Sequence, residues 1–320
     1  MIEADLFPES DVSNVGNTRP PQHLRHFVGN ETERTYLTYF VAGDMHAYRH
    51  GTKVRVEGGT THPAQLELLR DLFGNYAKPI VEPTRTPGVL YGIRATFDLS
   101  PSFDFLLHKP QELERATLRD DGLLYSALSG FSDAEGHVGL KNNHGRAYAG
   151  YTLSNRIRKL MLDFTKGLTS RGYRAPLHAL HGEKVQWQLE VHGRQALELL
   201  PKIGFRHREK IEGRRLAMEY NSRPWSIAGP LYLSYRAAIK AERDQLSFIA
   251  MKRFQSRGER RRLRKEMLRQ KLESSFPLFA KGLTAQEVAD ELHFSIRTAY
   301  RRKEKFEDSK ESTRKQRSEA

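Results

Sequence analysis

The chain has no cysteine among its 320 residues. Without thiols it has no disulfide scaffold, no cysteine-ligated zinc or iron–sulfur site and no cysteine nucleophile. It also lacks the apolar run of roughly 20 residues that a membrane-spanning helix needs, and it does not open with a basic segment followed by an apolar one. These absences predict a soluble, cytoplasmic protein that does not associate with membranes.

Acidic residues are scarce relative to basic ones. The 53 lysines and arginines exceed the 39 aspartates and glutamates by 14. Residues 1–220 carry a net charge of only +3, whereas residues 221–320 carry +11, most densely over 251–271. Crowded cations repel one another unless an anion neutralises them, which favours phosphate contact over a merely solvated helix face. A polyanionic partner is therefore expected, although basicity alone does not separate DNA from RNA or lipid.

The first 220 residues contain an internal duplication. Asn30 aligns with Asp121 at an offset of 91, and the following positions stay in step, so that Asp44 aligns with Glu135. Each segment opens with an N-cap residue, Asn30 or Asp121, and predicts a helix of about four turns. Two similar halves of about 90 residues are expected.

Both halves alternate between helix and strand, which predicts a mixed α/β (α+β) fold. Residues 50–57 alternate Lys53, Arg55 and Glu57 with valines, so the three polar side chains are expected on one strand face. Residues 138–154 are typical of a hairpin. Further elements are predicted as helices at 65–74 and 157–168, strands at 93–99 and 185–192, and closing helices at 101–107 and 194–201.

Each duplicated helix carries a carboxylate in its last turn, Asp44 in one and Glu135 in the other. The helix dipole disfavours negative charge there, so stability does not explain these residues. The small residues Gly43 and Gly130 nearby would let the two helix backbones approach closely. Two adjacent carboxylates repel each other and together favour a hard divalent cation, and oxygen ligands suit Mg²⁺. We interpret Asp44 and Glu135 as paired metal ligands rather than as solvated acids at frayed helix ends.

The sequences of these two helices resemble the signature of a known protein family. Residues 128–136, Leu-Ser-Gly-Phe-Ser-Asp-Ala-Glu-Gly, resemble the nine-residue signature of the LAGLIDADG homing endonucleases. Residues 37–45, Leu-Thr-Tyr-Phe-Val-Ala-Gly-Asp-Met, resemble a second, more divergent copy, with Tyr39 and Met45 where the family has glycine. The resemblance covers about residues 28–220. It implies a monomer of two pseudo-symmetric αββαββα halves, with the signature helices at the centre and the strands forming a DNA-binding saddle.

The resemblance also implies an activity. The family's metal-binding acid is the eighth residue of each signature, which falls on Asp44 and Glu135, and the implied reaction is Mg²⁺-dependent cleavage of both strands of double-stranded DNA at a long asymmetric target. Family members often place a basic or amide residue beside each metal. The candidates for that role, first half then second, are Lys53 and Glu57, then Asn155 and Arg156. The candidate base contacts on the strand faces are Lys53, Arg55, Glu57, Lys141, Asn143, Arg146, Tyr148 and Asn155.

The last hundred residues predict an all-α region. A linker over 221–230 precedes a basic helix, and Thr284 with Glu287 forms a capping box before a short helix. A turn at 293–295 and a second helix over 296–306 complete a pattern that resembles a helix-turn-helix, although a hairpin that serves only packing is the alternative. The groove-facing candidates are Arg297, Thr298, Tyr300, Arg301 and Arg302.

Two other classes of function remain open. A non-cleaving DNA-binding regulator would keep the fold without the reaction, and an RNA-splicing maturase would have intron RNA as its partner. The predicted organisation is a polar extension at 1–27, the two halves at 28–115 and 116–220, a linker and basic helix at 221–273, the helix-turn-helix at 274–307 and a disordered tail at 308–320.

Overall fold

A computed structural model of the chain describes residues 24–85, 91–181, 185–292 and 295–318. Most of the predicted N-terminal extension, residues 1–23, lies outside the described residues. Internal contacts divide the chain into two compact units, Met1–Lys252 and Arg253–Ala320. Across the described ranges, no helix is both long enough and apolar enough to cross a lipid bilayer.

The first half forms one antiparallel sheet with helices packed against it. Asn30 caps the first helix by accepting a hydrogen bond from the Glu33 backbone N–H at 2.9 Å, as predicted. The four strands follow the order β1-β2-β4-β3. In chain order the elements are α1 (Glu31–Asp44), β1 (His46–His50), β2 (Lys53–Thr60), α2 (Pro63–Phe73), β3 (Ile80–Arg85), β4 (Tyr91–Leu99) and a 3₁₀ helix (Pro101–Leu107).

The second half repeats this arrangement, with strand order β5-β6-β8-β7. The N-cap of its signature helix is Asp120, whose carboxylate accepts from the Leu123 N–H at 2.8 Å, so the prediction of Asp121 was off by one residue. The elements are α3 (Arg115–Arg119), α4 (Asp121–Glu135), β5 (Gly136–Asn143), β6 (Arg146–Asn155), α5 (Arg158–Thr169), β7 (Leu177–Leu180), β8 (Gln186–His192) and α6 (Gly193–Leu199). The chain is therefore α+β, with two four-stranded antiparallel sheets related by the predicted duplication.

The edge strands β3 and β7 are the elements of the two sheets that the sequence did not indicate. Neither strand contains a fully buried residue, and β3 contains Pro83, which breaks the usual strand pattern. The strand predicted over 50–57 is interrupted by a turn at 51–52 between β1 and β2, but its faces are as predicted, since Val54 and Val56 are fully buried while Lys53, Arg55 and Glu57 are half-buried. The predicted closing helix at 101–107 is a 3₁₀ helix.

Two further helices pack on the halves, α7 (Arg208–Tyr220) and α8 (Trp225–Glu273). The sequence pattern did not predict α7. It also predicted a longer linker, but α8 begins at Trp225 and continues through Pro230, because a proline near a helix start removes few hydrogen bonds. Leu246 and Ala250 of α8 are completely buried in the first-half core. The first unit consequently extends beyond residue 220, where the sequence places the end of the second half.

The second unit contains α9 (Phe276–Ala280), α10 (Ala285–Glu291) and α11 (Ile296–Ser318). The predicted capping box is present, because the Thr284 N–H donates to the Glu287 carboxylate while the Thr284 hydroxyl accepts from the Glu287 N–H. His293 and Phe294 of the predicted turn lie outside the described residues. Helix α11 continues to Ser318, past residue 308 where the sequence predicts disorder, because lysine, arginine, glutamate and glutamine are good helix formers.

Candidate active site

The two signature helices, α1 and α4, are in close contact through glycine. A Cβ atom on Gly130 would come within 2.9 Å of the Tyr36 carbonyl carbon and 3.0 Å of the Phe40 nitrogen. A Cβ atom on Gly43 would come within 2.5 Å of the Ala134 Cβ. Side chains at these positions would force the backbones apart, so the small residues create the close approach that the sequence analysis predicts.

Tyr39 and Met45, which replace glycines of the signature, do not obstruct this contact. Tyr39 is buried in the hydrophobic core of the second half, where its ring centroid lies 6.0 Å from that of Phe164. Met45 is buried in the first-half core and packs over Gly58 of β2. Because Gly130 of α4 already lets the two helices approach, α1 does not need a glycine at position 39. The Tyr39 side chain packs instead into the core of the second half.

The close contact places Asp44 and Glu135 side by side at the ends of their helices. A Cβ atom on Gly43 would lie 3.0 Å from the Glu135 Cγ. Asp44 is exposed and Glu135 is half-buried. Desolvation, followed by the charge of Asp44, raises the pKa of Glu135 to about 7. Although Asp44 keeps solvent-accessible surface, the protein atoms around its carboxylate also raise its pKa by desolvation. The structure thus holds two carboxylates together where their negative charges are unfavourable.

Asn155, at the end of β6, holds the carboxylate of Glu135. Its Nδ2 donates to the Glu135 Oε1 at 2.9 Å, and its Oδ1 accepts from the Ile157 N–H at 2.9 Å. The second hydrogen bond sets the orientation of the amide, because only the oxygen can accept. Thr60 occupies the position that pseudo-symmetry relates to Asn155, so this support exists in one half only.

Three basic residues that the sequence analysis did not single out lie around the acid pair. The positive charges of Lys210, His62 and Lys109 lower the pKa of Asp44 and so partly offset its desolvation, in that order of effect. Lys109 and Lys210 also lower the pKa of Glu135. No motif marks Lys109 or Lys210, because Lys109 lies in the connection after the 3₁₀ helix and Lys210 lies on α7, outside the elements in which the duplication is visible.

A buried polar network lies next to the acid pair. Asp133 of α4 is 1% exposed, and its Oδ2 accepts from the Tyr36 hydroxyl and the Arg206 backbone N–H, both at 2.7 Å. Its Oδ1 is buried without a hydrogen-bond partner. Desolvation raises the pKa of Asp133. These contacts tie α1, α4 and the segment that leads into α7 to one buried carboxylate.

The other catalytic candidates lie at unequal distances from the acids. In the β1–β2 pairing Glu57 is opposite His46, two residues after Asp44, whereas Lys53 is opposite His50 at the far end of the hairpin. Four residues of strand separate Lys53 from Glu57, which corresponds to about 13 Å. The structure therefore separates Lys53 from the acid pair, whereas Arg156 is exposed next to Asn155.

The base-contact candidates of the second half share one strand face. Lys141 is paired opposite Tyr148 and Asn143 opposite Arg146, so alternation directs all four side chains to the same side of the β5–β6 hairpin. Lys141 already forms an ion pair, with its Nζ 3.4 Å from the Glu190 Oε1.

Arg55 of the first half, like Lys141 of the second half, is paired with a carboxylate. It forms a two-pronged ion pair with Asp98, at 2.6 Å through Nε and 3.0 Å through Nη2. The hydrogen bonds from Arg55 lower the pKa of Asp98. The sheet faces are therefore charged with both signs, which is consistent with the small net charge of the first 220 residues.

The candidates on α11 do not all face solvent. Arg297, Tyr300 and Arg301 are exposed, and Tyr300 is 61% exposed. The Thr298 hydroxyl lies 2.9 Å from that of Ser295 at the helix start, and Arg302 is half-buried. One side of α11 thus presents Arg297, Tyr300 and Arg301 together, while Thr298 and Arg302 lie outside that exposed group.

The acid pair offers two carboxylates as ligands for a metal. In the described residues no group of three or more His, Asp or Glu side chains is arranged to hold an ion. Asp44 and Glu135 nevertheless fit a hard divalent cation, because both are oxygen donors and Asp44 is open to solvent.

Comparisons with known proteins give distant structural similarities. No protein-family model and no curated protein matches the chain. The homing endonuclease I-DmoI in complex with DNA and Mn is 16% identical, over 54% of this chain and 96% of that chain, with a TM-score of 0.37. The homing endonuclease I-WcaI bound to its DNA recognition sequence is 12% identical, over 57% and 86%, with a TM-score of 0.43. Full-length DUF199/WhiA from Thermatoga maritima is 16% identical, over 88% and 92%, with a TM-score of 0.39. Function is inferred below from the chain's own residues.

Proposed function

We propose that the chain is a site-specific double-strand DNA endonuclease of the LAGLIDADG type that requires a divalent cation. The observation that supports this proposal is the placement of Asp44 and Glu135, which end duplicated helices in register and lie side by side. Desolvation and mutual repulsion make that placement unfavourable without a cation. At frayed, solvated helix ends the charge of Asp44 would not raise the pKa of Glu135, as it does here.

In this proposal Asp44 and Glu135 hold Mg²⁺, and Asn155 orients the Glu135 carboxylate. A bound Mg²⁺ supplies an activated water and offsets the charge that develops on the scissile phosphate. Lys53 lies at the other end of the β1–β2 hairpin from Glu57, about 13 Å along the strand. Lys210 and Lys109 take the place that the sequence analysis assigned to Lys53, because their charges act on both carboxylates.

The proposed DNA contacts fall into two groups. The strand faces, with Arg55 and Lys141 as examples, would read base edges once DNA displaces the carboxylates that now pair with these cations. Helices α10 and α11 would act as a helix-turn-helix, with Arg297, Tyr300 and Arg301 facing the major groove. The basic segment 251–271 would contact phosphate and add affinity that depends strongly on salt.

A second candidate function is a DNA-binding regulator that does not cleave. Lys210 favours it, because an ammonium group beside two carboxylates offsets their charge without a metal. Such a protein would keep the saddle, the helix-turn-helix and the acid pair as structural features. Cleavage is the property that separates the two functions.

The test is to incubate the purified protein and Mg²⁺ with DNA that spans the uninterrupted insertion site of its own gene. We expect a double-strand break that requires Mg²⁺ and falls at least about a hundredfold in Asp44→Asn or Glu135→Gln, because each change removes a charged metal ligand. Asp71→Asn, at an exposed acid of α2, is the matched control and should cleave normally. Tight binding without cleavage would contradict the endonuclease and support the regulator.

A further inference from the structure

Two carboxylates, Asp98 and Glu190, lie on the sheet faces to which the proposed function assigns DNA. Asp98 of β4 is paired directly opposite Arg55 of β2, and both neighbours of Asp98 in β4 are fully buried. Alternation therefore directs Asp98 and Arg55 away from the hydrophobic core. Their side chains are 20% and 21% exposed, and two hydrogen bonds of 2.6 and 3.0 Å join them. The cation that would contact DNA is thus already bound to an acid of its own sheet.

Glu190 of β8 repeats this arrangement in the second half. Strand β8 has the same place in its sheet as β4 has in the first, and both neighbours of Glu190 in β8 are fully buried. The Glu190 Oε1 lies 3.4 Å from the Lys141 Nζ. It also accepts a hydrogen bond from the Gln188 amide, while the Glu190 Oε2 lies 2.6 Å from the His192 Nε2. Each sheet therefore carries an acid that binds a basic base-contact candidate from another strand.

The surroundings keep both acids negatively charged at neutral pH. Hydrogen bonds from Arg55 hold the pKa of Asp98 below its ordinary value, and the charges of Lys53 and His50 act in the same direction. Desolvation raises the pKa of Glu190, but the hydrogen bonds and charges of its two basic partners more than offset that effect, so its pKa also lies below the ordinary value. Both sheet faces thus carry a fixed negative charge next to a cation.

A carboxylate beside a cation changes what the cation gains from DNA. Contact with phosphate supplies most of the sequence-independent affinity of a DNA-binding protein. A guanidinium that moves from Asp98 to a phosphate gives up two hydrogen bonds and leaves an unpaired carboxylate facing a polyanion. Base edges can satisfy both groups, because guanine accepts from arginine or lysine through O6 and N7, while the N4 amino group of cytosine donates to a carboxylate. The ion pairs therefore penalise backbone contact but not a site that offers both base edges.

We propose that Asp98 and Glu190 are specificity-determining residues that suppress binding to DNA of the wrong sequence. The proposal rests on the proposed function, in which these sheet faces contact the major groove. A target site would place a guanine edge against Arg55 or Lys141 and the amino group of a cytosine against the neighbouring acid. At other sequences the acid repels the phosphates and keeps its cation. This role explains why the sheet faces carry charges of both signs although their partner is a polyanion.

The test compares the binding of the full-length protein to two DNA duplexes with a chelator present, by fluorescence anisotropy at several salt concentrations. One duplex has random sequence, and the other spans the uninterrupted insertion site of the protein's own gene. We expect Asp98→Asn and Glu190→Gln each to bind the random duplex at least about threefold more tightly, with a salt slope steeper by about one phosphate contact, because each amide frees a cation. The preference for the insertion site should fall about tenfold in the double variant.

Two controls separate this effect from a change in net charge or in folding. Asp71→Asn changes the charge equally at an exposed acid of α2 and should bind both duplexes as the wild type does. Arg55→Gln combined with Asp98→Asn should bind the random duplex no more tightly than Arg55→Gln alone, because Arg55 is the cation that Asp98 holds. Loss of an ion pair that serves only the fold would lower the thermal stability without raising the affinity for DNA.

Each outcome decides the proposal. Unchanged or weaker binding of the random duplex by both amide variants would overturn it. If neither variant shows a cooperative unfolding transition, Arg55→Gln decides, because an equal loss of affinity for the two duplexes contradicts the proposal and a larger loss at the insertion site supports it. Mg²⁺-dependent cleavage by the same preparations tests the proposed function separately. Cleavage with unchanged discrimination overturns only this proposal, whereas altered discrimination without cleavage supports it and leaves the regulator as the function.

Discussion

The pKa of Glu135 depends on which groups the fold places around its carboxylate. Its pKa of about 7 results from desolvation first and from the nearby Asp44 second, against a hydrogen bond from Asn155 and two lysine charges. At neutral pH a carboxylate with this pKa is close to half protonated. A cation bound here, as the proposed function requires, would favour the ionised form.

Replacing Glu135 with glutamine should stabilise the metal-free protein at high pH. The folded-state pKa of about 7 lies above the ordinary 4.5, so the ionised carboxylate destabilises the folded state above pH 7. That penalty shrinks as the pH falls through 7 toward 4.5. We expect Glu135→Gln to raise the free energy of unfolding by about 1–3 kcal/mol at pH 8 and by little at pH 5, measured by urea denaturation with a chelator present.

The control for this prediction is Asp71→Asn, an exposed acid in the same unit, which should change stability by less than about 0.5 kcal/mol. Equal stability of Glu135→Gln and the wild type at pH 8 would contradict the close placement of Asp44 and Glu135. Loss of the difference on adding Mg²⁺ would identify the cation as the missing partner of the wild-type carboxylate.

Among the secondary-structure elements, the contact between α1 and α4 decides whether the acids meet. Gly130 lies against the Tyr36 carbonyl group, with no room for a side chain. Tyr39, at the equivalent position of α1, instead fills the core of the other half. The duplicated helices therefore share a sequence pattern but differ at this position, where α4 has Gly130 and α1 has Tyr39, while α1 contributes Gly43 to the contact further along.

Gly130→Ala should destabilise the protein and reduce cleavage. The added methyl group overlaps the Tyr36 carbonyl, and the expected cost is about 1–3 kcal/mol, with cleavage falling as the acids separate. The matched control is Gly258→Ala on α8, where no atom lies within 4 Å of the new Cβ and helix propensity predicts a gain of about 0.5–1 kcal/mol. Thermal unfolding checks both changes, and a neutral Gly130→Ala would contradict the close helix contact.

In the whole molecule, the change in net charge along the chain and the boundary between the two compact units fall at different residues. The sequence places the charge transition near residue 220, whereas contacts place the end of the first unit at Lys252. Residues 253–320 carry 19 basic and 11 acidic side chains, so most of the basic excess still lies in the second unit. Residues 225–252 of this helix belong to the first unit, because their apolar side chains complete its hydrophobic core.

A chain that ends after Lys252 should fold, whereas one that ends after Tyr220 should not. The shorter chain loses Leu246 and Ile249, whose burial in the first-half core is worth about 3–6 kcal/mol, a large part of a typical stability. Circular dichroism during urea denaturation should show a cooperative transition only for the longer chain. That chain should also bind DNA more weakly and with a smaller salt slope than the full protein.

Unchanged DNA affinity and salt slope on removal of residues 253–320 would contradict the proposed role of the second unit. A cooperative transition in the chain that ends at Tyr220 would show that α8 is not required by the core. The two readouts are independent, so failure of one leaves the other prediction standing.

Much of the fold follows from local sequence. The N-cap Asn30 and the capping box at Thr284 are predictable because their hydrogen bonds join residues three apart. Alternation predicts the buried face of β2, and duplication predicts that Asp44 and Glu135 are equivalent. Edge strands β3 and β7 escaped prediction because little of either strand is buried.

The sequence by itself determined the duplication, the α+β class, the signature helices and the acids that end them, because these depend on periodicity and on contacts between near neighbours. Only the packed structure decided that the charge of Lys210 acts on both acids and that Asn155 donates a hydrogen bond to one of them. It also decided that α8 belongs to the core. These facts depend on contacts between residues far apart in the chain, which no local pattern encodes, because a lysine on an amphipathic helix looks the same whether it faces solvent or a pair of carboxylates.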